Sequence, residues 1–288
     1  MNFPSDLEKL ISPIITTSEN ARLCLIPTPQ EIKAIIFYLN SQKSPSPDGL
    51  PALFYKKYWS IVGTTIIVLI PKIKSPSTVN HFRPISLCNT IYKTISKLIV
   101  SRLRPILDKL ISPAQFAFVP GRWIAENQLI VHELLHSFKK RKVKGGFVTL
   151  KIDLQKAYDR VSWKFLQTVL TNFGFHEVFV NWIMECVSSV SFSVLINGGK
   201  SHYFFPTRGL RQGEPLSPSL FILCQEVLSR LIDREHLAGN IHGVEMKLGG
   251  PNFTNVMFAD DLMLFAKASG NDVAALNSCL ETYCQWFG

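Results

Sequence analysis

Long apolar runs, paired cysteines, repeats and low-complexity tracts are all missing from this sequence, and each absence removes a class of protein. The longest strongly apolar stretch, residues 61–70, stops at Pro71. A membrane-spanning helix needs roughly 20 such residues, so no span and no membrane partner is expected. The start, MNFPSDLEKL, has no basic segment followed by an apolar one and does not read as a secretory leader. The six cysteines (Cys24, Cys88, Cys186, Cys224, Cys279, Cys284) therefore belong in a reducing compartment. None forms a Cys-x-x-Cys pair, and the nearest two, Cys279 and Cys284, read as bland or buried thiols rather than metal ligands. Charged residues make up only 18% against 47% hydrophobic, which excludes a disordered tail or a fibrous repeat. With 288 residues the chain can bury a large core, as one large domain or two interlocked lobes.

What is present is an uneven distribution of charge. Residues 1–144 carry 20 basic and 8 acidic side chains, a net +12, whereas residues 145–288 carry 11 and 13, a net −2, giving the overall +10. A basic half beside a slightly acidic one suggests that the first holds a polyanion and the second does something else.

The periodicity predicts a helix and a Pro-containing connector within residues 1–29, then a helix over 29–42 with Ile32, Ile35, Ile36 and Leu39 at helical spacing. Residues 44–49 are a Pro/Ser/Gly loop, and 64–70 read as a buried β-branched strand. Helices follow over 90–107 and 124–140, the second with Ile124, Val131, Leu135 and Phe138 inward and a basic run to Lys144 at its end. Then come a strand over 147–154, helices over 155–173 and 178–187, and a strand pair turning at Asn197-Gly198-Gly199. Ser217 and Pro218 open a helix to about 235. Two apolar strands over 255–268 flank Asp260-Asp261. Strands and helices mixed along the chain, with hairpins, indicate an antiparallel sheet and the α+β class.

The candidate chemistry lies in three carboxylates. The period of two in Phe147-Val148-Thr149-Leu150-Lys151-Ile152-Asp153 leaves Asp153 at the end of a rigid strand, on the face shared with Thr149 and Lys151. Asp260 and Asp261 sit side by side in a turn between apolar strands, an unfavourable juxtaposition unless a cation or water screens it. A solvated hairpin turn is the plain alternative, but such turns favour Asn-Gly or Asp-Gly and here glycine is absent. If the strands are neighbours, Asp153, Asp260 and Asp261 form a cluster of hard oxygen donors suited to Mg²⁺. Two such ions about 4 Å apart are the device for in-line displacement at phosphorus.

At these residues the sequence resembles a known family. The Phe258-Ala259-Asp260-Asp261 hairpin, Asp153 with Ala157-Tyr158-Asp159, and Arg208-Gly209-Leu210-Arg211-Gln212-Gly213-Glu214-Pro215-Leu216-Ser217-Pro218 occur in the order seen in reverse transcriptases. With Phe82-Arg83-Pro84-Ile85-Ser86-Leu87 and Phe118-Val119-Pro120-Gly121-Arg122, the wording resembles the LINE-type (non-LTR) retrotransposon enzymes of plants. The resemblance implies an α+β right-hand polymerase unit with its antiparallel palm sheet backed by helices, divided into an N-terminal helical leader (1–43), fingers (44–146) and palm (147–288). It implies RNA-directed addition of deoxynucleotides to a primer, with RNA template, DNA primer and dNTPs as partners, two Mg²⁺ ions or Mn²⁺ in their place, and a nuclear location when acting on DNA. Asp153 and Asp260 would ligate both ions and Asp261 would be the less direct third carboxylate. Tyr158 would be the gate against a 2′-hydroxyl, Gln212 and Gly213 the loop touching template and nucleotide, and Arg83 with Lys72 or Lys74 the cations for the triphosphate. Two other readings remain: a catalytically silent RNA-binding remnant of a retroelement, and a two-metal nuclease, which leaves Tyr158 and Gln212-Gly213 unaccounted for.

One motif competes. His132-Glu133-Leu134-Leu135-His136 satisfies the zinc-protease pattern H-E-x-x-H. The residues that would continue it are Lys139 and Lys142, no glutamate occurs between 137 and 176, and the helix is already accounted for as amphipathic, so no zinc is expected. Departures from the family are Ser46 where glycine is usual, Glu214 where aspartate is common, and a helical stretch missing at 63–64. The chain is also expected to lack the thumb, since Gly288 precedes the family's next motif.

Overall fold

The computed structural model describes residues 6–39, 65–88, 90–140, 146–246 and 249–288. The loop at 44–49, the junction at 63–64 and positions 141–144 of the basic run lie outside the described residues. Along the chain the strands are β1 (Thr65–Pro71), β2 (Phe82–Leu87), β3 (Phe147–Asp153), β4 (Phe192–Ile196), β5 (Gly199–Lys200), β6 (Val244–Glu245), β7 (Asn252–Phe253), β8 (Asn255–Phe258) and β9 (Asp261–Lys267). Among the described residues no helix is long and apolar enough to cross a membrane.

Two compact units are each assembled from separated segments. The first comprises Met1–Ile15, Arg104–Phe175 and Ser219–Gly288, and the second Thr16–Leu103 and His176–Pro218. The units thus interleave along the chain, unlike the consecutive division at 43 and 146 expected from sequence. The expected leader is shared between them: helix Asp6–Leu10 falls in the first unit, helices Thr17–Leu23 and Pro29–Tyr38 in the second.

The first unit is built on an antiparallel sheet of order β3-β9-β8. Its middle strand is buried on both faces. Phe265 and Met263 pack with Leu134, Val244 and Val256 against Ile130, Val131 and Phe138 of helix Ile124–Lys140. The alternate residues Leu262, Leu264 and Ala266 take the other face and are equally buried. Helix Ile124–Lys140 has the bounds its periodicity predicts, but its inward stripe is rotated: Leu134 is fully buried, whereas Leu135 and Ile124 are exposed. The helix predicted over 155–173 is broken into Ala157–Arg160 and Trp163–Asn172. Lys156 takes a left-handed backbone (φ 52°) ahead of the first, and the Ser162 hydroxyl accepts from the Phe165 N–H to cap the second. Phe165, Phe221, Tyr283 and Phe287 form an aromatic cluster among the helices.

The second unit carries a sheet of order β2-β1-β4-β5. The β4–β5 pair is an antiparallel hairpin as expected; β2, a strand the sequence does not announce, also pairs antiparallel with β1, but β1 and β4 run parallel, with Thr65 opposite Phe192 and Val68 opposite Leu195. No short turn links those two strands, so hairpin geometry does not dictate their direction. β1 is also less buried than its apolar composition predicts, with Ile67, Val68 and Leu69 half-buried and Ile70 47% exposed. The helix predicted over 90–107 stops at Leu103, because Pro105 supplies no N–H and the next residues form a 3₁₀ turn, Arg104–Ile106. Arg102 fixes helix Thr90–Leu103 in place, donating to both Glu31 carboxylate oxygens (3.2 and 3.0 Å) and to the Leu23 carbonyl (3.1 Å).

Candidate active site

β3 and β9 pair so that Asp153 lies directly opposite Asp261, with Ile152 opposite Leu262 behind them. β8 and β9 are joined by the two-residue turn Ala259-Asp260, Phe258 pairing with Asp261. The sheet therefore brings the last residue of β3 beside both aspartates of the turn, on a scaffold whose middle strand is buried. Asp153 and Asp261 are exposed and Asp260 is half-buried. Burial pushes the Asp260 carboxyl above its ordinary range, and the charges of Asp261 and Asp153 push the same way. Lys151 reaches Asp261 at 3.9 Å, but both side chains are largely exposed, and a surface pair of this kind contributes only about 0–1 kcal/mol.

The turn itself is strained. Ala259 has φ 54°, a left-handed conformation that costs a residue with a Cβ roughly 1–2 kcal/mol. It is held by a buried side chain: Gln115 Oε1 accepts from the Ala259 N–H (2.9 Å) and its Nε2 donates to the Ala259 carbonyl (3.4 Å). The backbone on either side is bonded as well, Phe116 N–H to the Met257 carbonyl (3.0 Å) and Met257 N–H to the Ala114 carbonyl (2.8 Å). Arg122, the last residue of the Phe-Val-Pro-Gly-Arg motif, donates to the carbonyls of Ile111, Ser112 and Gln115 and to Asp108. The sequence alone shows no role for that motif and carries no signal for Gln115.

Tyr158 sits on the one-turn helix Ala157–Arg160, set apart by the break between Arg160 and Trp163. Its ring stacks on buried Phe221, centroids 4.6 Å apart and planes 11° from parallel. Burial, and then the Asp260 charge, push its hydroxyl pKa well above the usual value. Asp153, Asp260, Asp261 and Tyr158 are thus gathered in the first unit.

Lys72, Lys74, Arg83, Gln212 and Gly213 belong to the second unit. Arg83 pairs with Ile70 across the β1–β2 hairpin, and the Lys72 N–H closes that hairpin on the His81 carbonyl (2.7 Å); all three cations are exposed. The Gln212 carbonyl accepts from the Ser86 N–H of β2 (2.9 Å). Gly213 follows at φ 92°, and a Cβ there would meet Ile85 Cγ2 at 3.2 Å and the Ser86 carbonyl at 3.4 Å. Glycine is required by both the dihedral and the close approach. Beneath this loop is a buried polar knot. Arg211 Nε donates to Glu214 Oε2 (3.1 Å), its guanidinium lies 3.9 Å from the Tyr92 ring centroid, and Tyr92 donates to Glu214 Oε1 (2.6 Å). The Ser217 hydroxyl at the start of helix Ser217–Leu237 donates to Glu214 Oε2 (2.9 Å). Burial nevertheless outweighs Arg211 and these bonds, and raises the Glu214 pKa.

Three carboxylates, the Asp260 pKa raised among them, have the donor chemistry of a hard divalent cation. Among the described residues no three His, Cys, Asp or Glu side chains are arranged to hold a metal ion, so the fit rests on donor type and strand register. His132, Glu133 and His136 of the H-E-x-x-H motif lie on the exposed face of helix Ile124–Lys140. Of the cysteines, Cys88, Cys186, Cys224 and Cys279 are buried, Cys24 is half-buried and Cys284 exposed, all as free thiols.

A family model described as reverse transcriptase (RNA-dependent DNA polymerase) matches residues 70–288, which includes every described strand except most of β1. The chain belongs to the reverse transcriptase family. Among curated relatives, the uncharacterized 149 kDa protein of transposon TX1 from Xenopus laevis is 29% identical over 94% of this chain and 22% of its own length. The Pol polyprotein of the type-2 retrotransposable element R2DM from Drosophila melanogaster is 28% identical over 83% of this chain and 23% of its own. These are non-LTR retrotransposon proteins, and this chain is a reverse transcriptase domain of that type spanning about a fifth of their length. A solved telomerase from Candida tropicalis, in complex with a fragment of telomeric RNA, shares the fold with a TM-score of 0.55 at 12% identity, over 79% of this chain and 40% of that one. The mixed α+β architecture agrees with the fingers–palm fold.

Proposed function

We propose that this chain is the polymerising domain of a plant LINE-type retroelement, adding deoxynucleotides to a DNA primer on an RNA template, with the first unit acting as palm and the second as fingers. The observation that carries the reading is the strand register placing Asp153 opposite Asp261 beside the Asp260 turn. Asp153 and Asp260 would hold two Mg²⁺ ions, with Asp261 as the outer carboxylate. Bound there, such ions supply activation of an attacking hydroxyl and neutralisation of a triphosphate.

The chain's own residues do the remaining work. Tyr158, fixed by its stack on Phe221, would exclude a 2′-hydroxyl by bulk. Gly213 lets the loop backbone lie close against β2, and Gln212 and Gly213 would contact template and nucleotide from that position. Lys72 and Arg83 are exposed point and fork donors for a triphosphate. Charge supports this division: the second unit holds 14 basic and 6 acidic residues, net +8, and the first 17 and 15, net +2. A strongly positive unit suits nucleic-acid and triphosphate phosphates, and binding through it would weaken with salt. A nuclear site of action follows from the same reading.

The test is Mg²⁺-dependent extension of oligo(dT) on poly(rA) by the chain, with binding measured in parallel. Extension supports the proposal. Binding without incorporation favours a silent RNA-binding remnant, and cleavage without added nucleotides favours a nuclease.

A further inference from the structure

The residues singled out by sequence leave unexplained how an alanine is kept left-handed between two apolar strands. Ala259 precedes Asp260 directly, and its φ of 54° is a conformation an alanine does not hold unaided. Gln115 is 2% exposed and lies 144 positions away in the chain. Its amide oxygen is shared between the Ala259 N–H (2.9 Å) and the Ala117 N–H (3.0 Å), and its amide nitrogen faces the Ala259 carbonyl (3.4 Å). Both polar groups of the strained residue are therefore engaged by one side chain. The backbone that carries this side chain is itself held, since Arg122 donates to the main-chain carbonyls of Gln115 (2.7 Å), Ser112 (2.5 Å) and Ile111 (2.9 Å). Asn127 adds a bond from its Nδ2 to the Met257 carbonyl (3.0 Å), in β8 two residues before Ala259.

We propose that Gln115 is a positioning residue for the aspartate turn: by gripping Ala259 it holds the backbone that presents Asp260 and Asp261, and Arg122 anchors the loop that carries it. This rests on the reading of those aspartates as the reacting carboxylates, but the grip itself is independent of that reading. A buried amide acting this way has a specific consequence. A side chain of similar volume without its polar groups should fill the space and still release the turn. Replacing Ala259 by glycine, for which the left-handed region is unstrained, should make the grip dispensable.

The experiment compares Gln115→Met, Ala259→Gly and the double variant in the full chain, with Gln115→Asn, too short to reach Ala259, replacing Gln115→Met if that variant does not fold. The first readout is amide hydrogen exchange. Gln115→Met should speed exchange at the turn amides by about tenfold or more while helix Trp163–Asn172 keeps its protection. The second is primer extension on poly(rA)·oligo(dT), where turnover should fall by about 10–100-fold with the affinity for template–primer unchanged. Ala259→Gly in the Gln115→Met background should recover much of both. Unchanged exchange at the turn overturns the proposal, as does a loss spread evenly over the unit that Ala259→Gly does not repair. If the wild-type chain does not extend primers, the polymerase reading fails for this chain while the exchange measurement still decides the role of Gln115.

Discussion

Gly213 offers a controlled perturbation, because a second glycine provides its reference. Gly213 and Gly198 both have positive φ, 92° and 83°, but a Cβ at Gly198 would meet nothing within 4 Å, whereas one at Gly213 would meet Ile85 Cγ2 at 3.2 Å and the Ser86 carbonyl at 3.4 Å. Gly198→Ala therefore isolates the backbone cost of a left-handed alanine, about 1–2 kcal/mol. Gly213→Ala carries the same cost plus a contact that cannot relax freely, since the Ser86 N–H bond to the Gln212 carbonyl pins the loop to β2. Overpacking of this kind adds about 1–3 kcal/mol, so Gly213→Ala should lose roughly 2–5 kcal/mol in all. Urea unfolding followed by circular dichroism measures both variants against the parent, with the slope checked for constancy. Equal losses, or a smaller loss for Gly213→Ala, would refute the close approach of this loop to β2.

Glu214→Ala leaves Arg211 buried without its carboxylate and should cost about 3–5 kcal/mol by the same unfolding assay; a loss below about 1 kcal/mol would contradict the buried pair. Tyr158→Phe keeps the stack on Phe221 and should preserve preference for dNTPs, whereas Tyr158→Ala should admit ribonucleotides, read as the ratio of dTTP to UTP incorporation. Asp272 supplies a pH dependence. Burial alone would raise its pKa, but bonds from the Ser269 hydroxyl and the His242 N–H (2.6 Å) lower it below the ordinary value. A lowered folded pKa stabilises above the unfolded value of about 3.9 and is lost as pH falls through the folded one. The stability gap between the parent and Asp272→Asn, about 1–3 kcal/mol at pH 7, should therefore close on acidification below about pH 4.

The parts of the fold that could be read from sequence are those governed by neighbours in the chain. Helix Ile124–Lys140 follows from its periodicity, and the turn at Asn197-Gly198 from its turn chemistry. Leu134 and Leu135 lie on adjacent flanks of one stripe, and only packing against Val244, Val256 and Phe265 selects Leu134. The break between Arg160 and Trp163 has no proline or glycine to announce it; Ser162 as a cap was the available signal, and the consequence is the separate placement of Tyr158. The parallel pairing of β1 with β4 joins strands that no hairpin relates, and the register of β3 on β9 likewise depends on long-range packing. Asp153, Asp260 and Asp261 could therefore be named from residue type and motif, while their adjacency was conditional. Gln115 left no local trace, because its part in the turn exists only through bonds to a residue 144 positions away. The basic-half and acidic-half division also changes once the units interleave: positive charge collects in the second unit, and the unit holding the three aspartates is close to neutral.

The most direct test of the central claim is single-turnover addition of dTTP to oligo(dT) on poly(rA), comparing the parent chain with Asp153→Asn, which preserves size and removes one charge from the strand end opposite Asp261. The account predicts Mg²⁺-dependent addition by the parent and its abolition in Asp153→Asn, with template–primer binding retained. Addition that survives Asp153→Asn at the parental rate would contradict it.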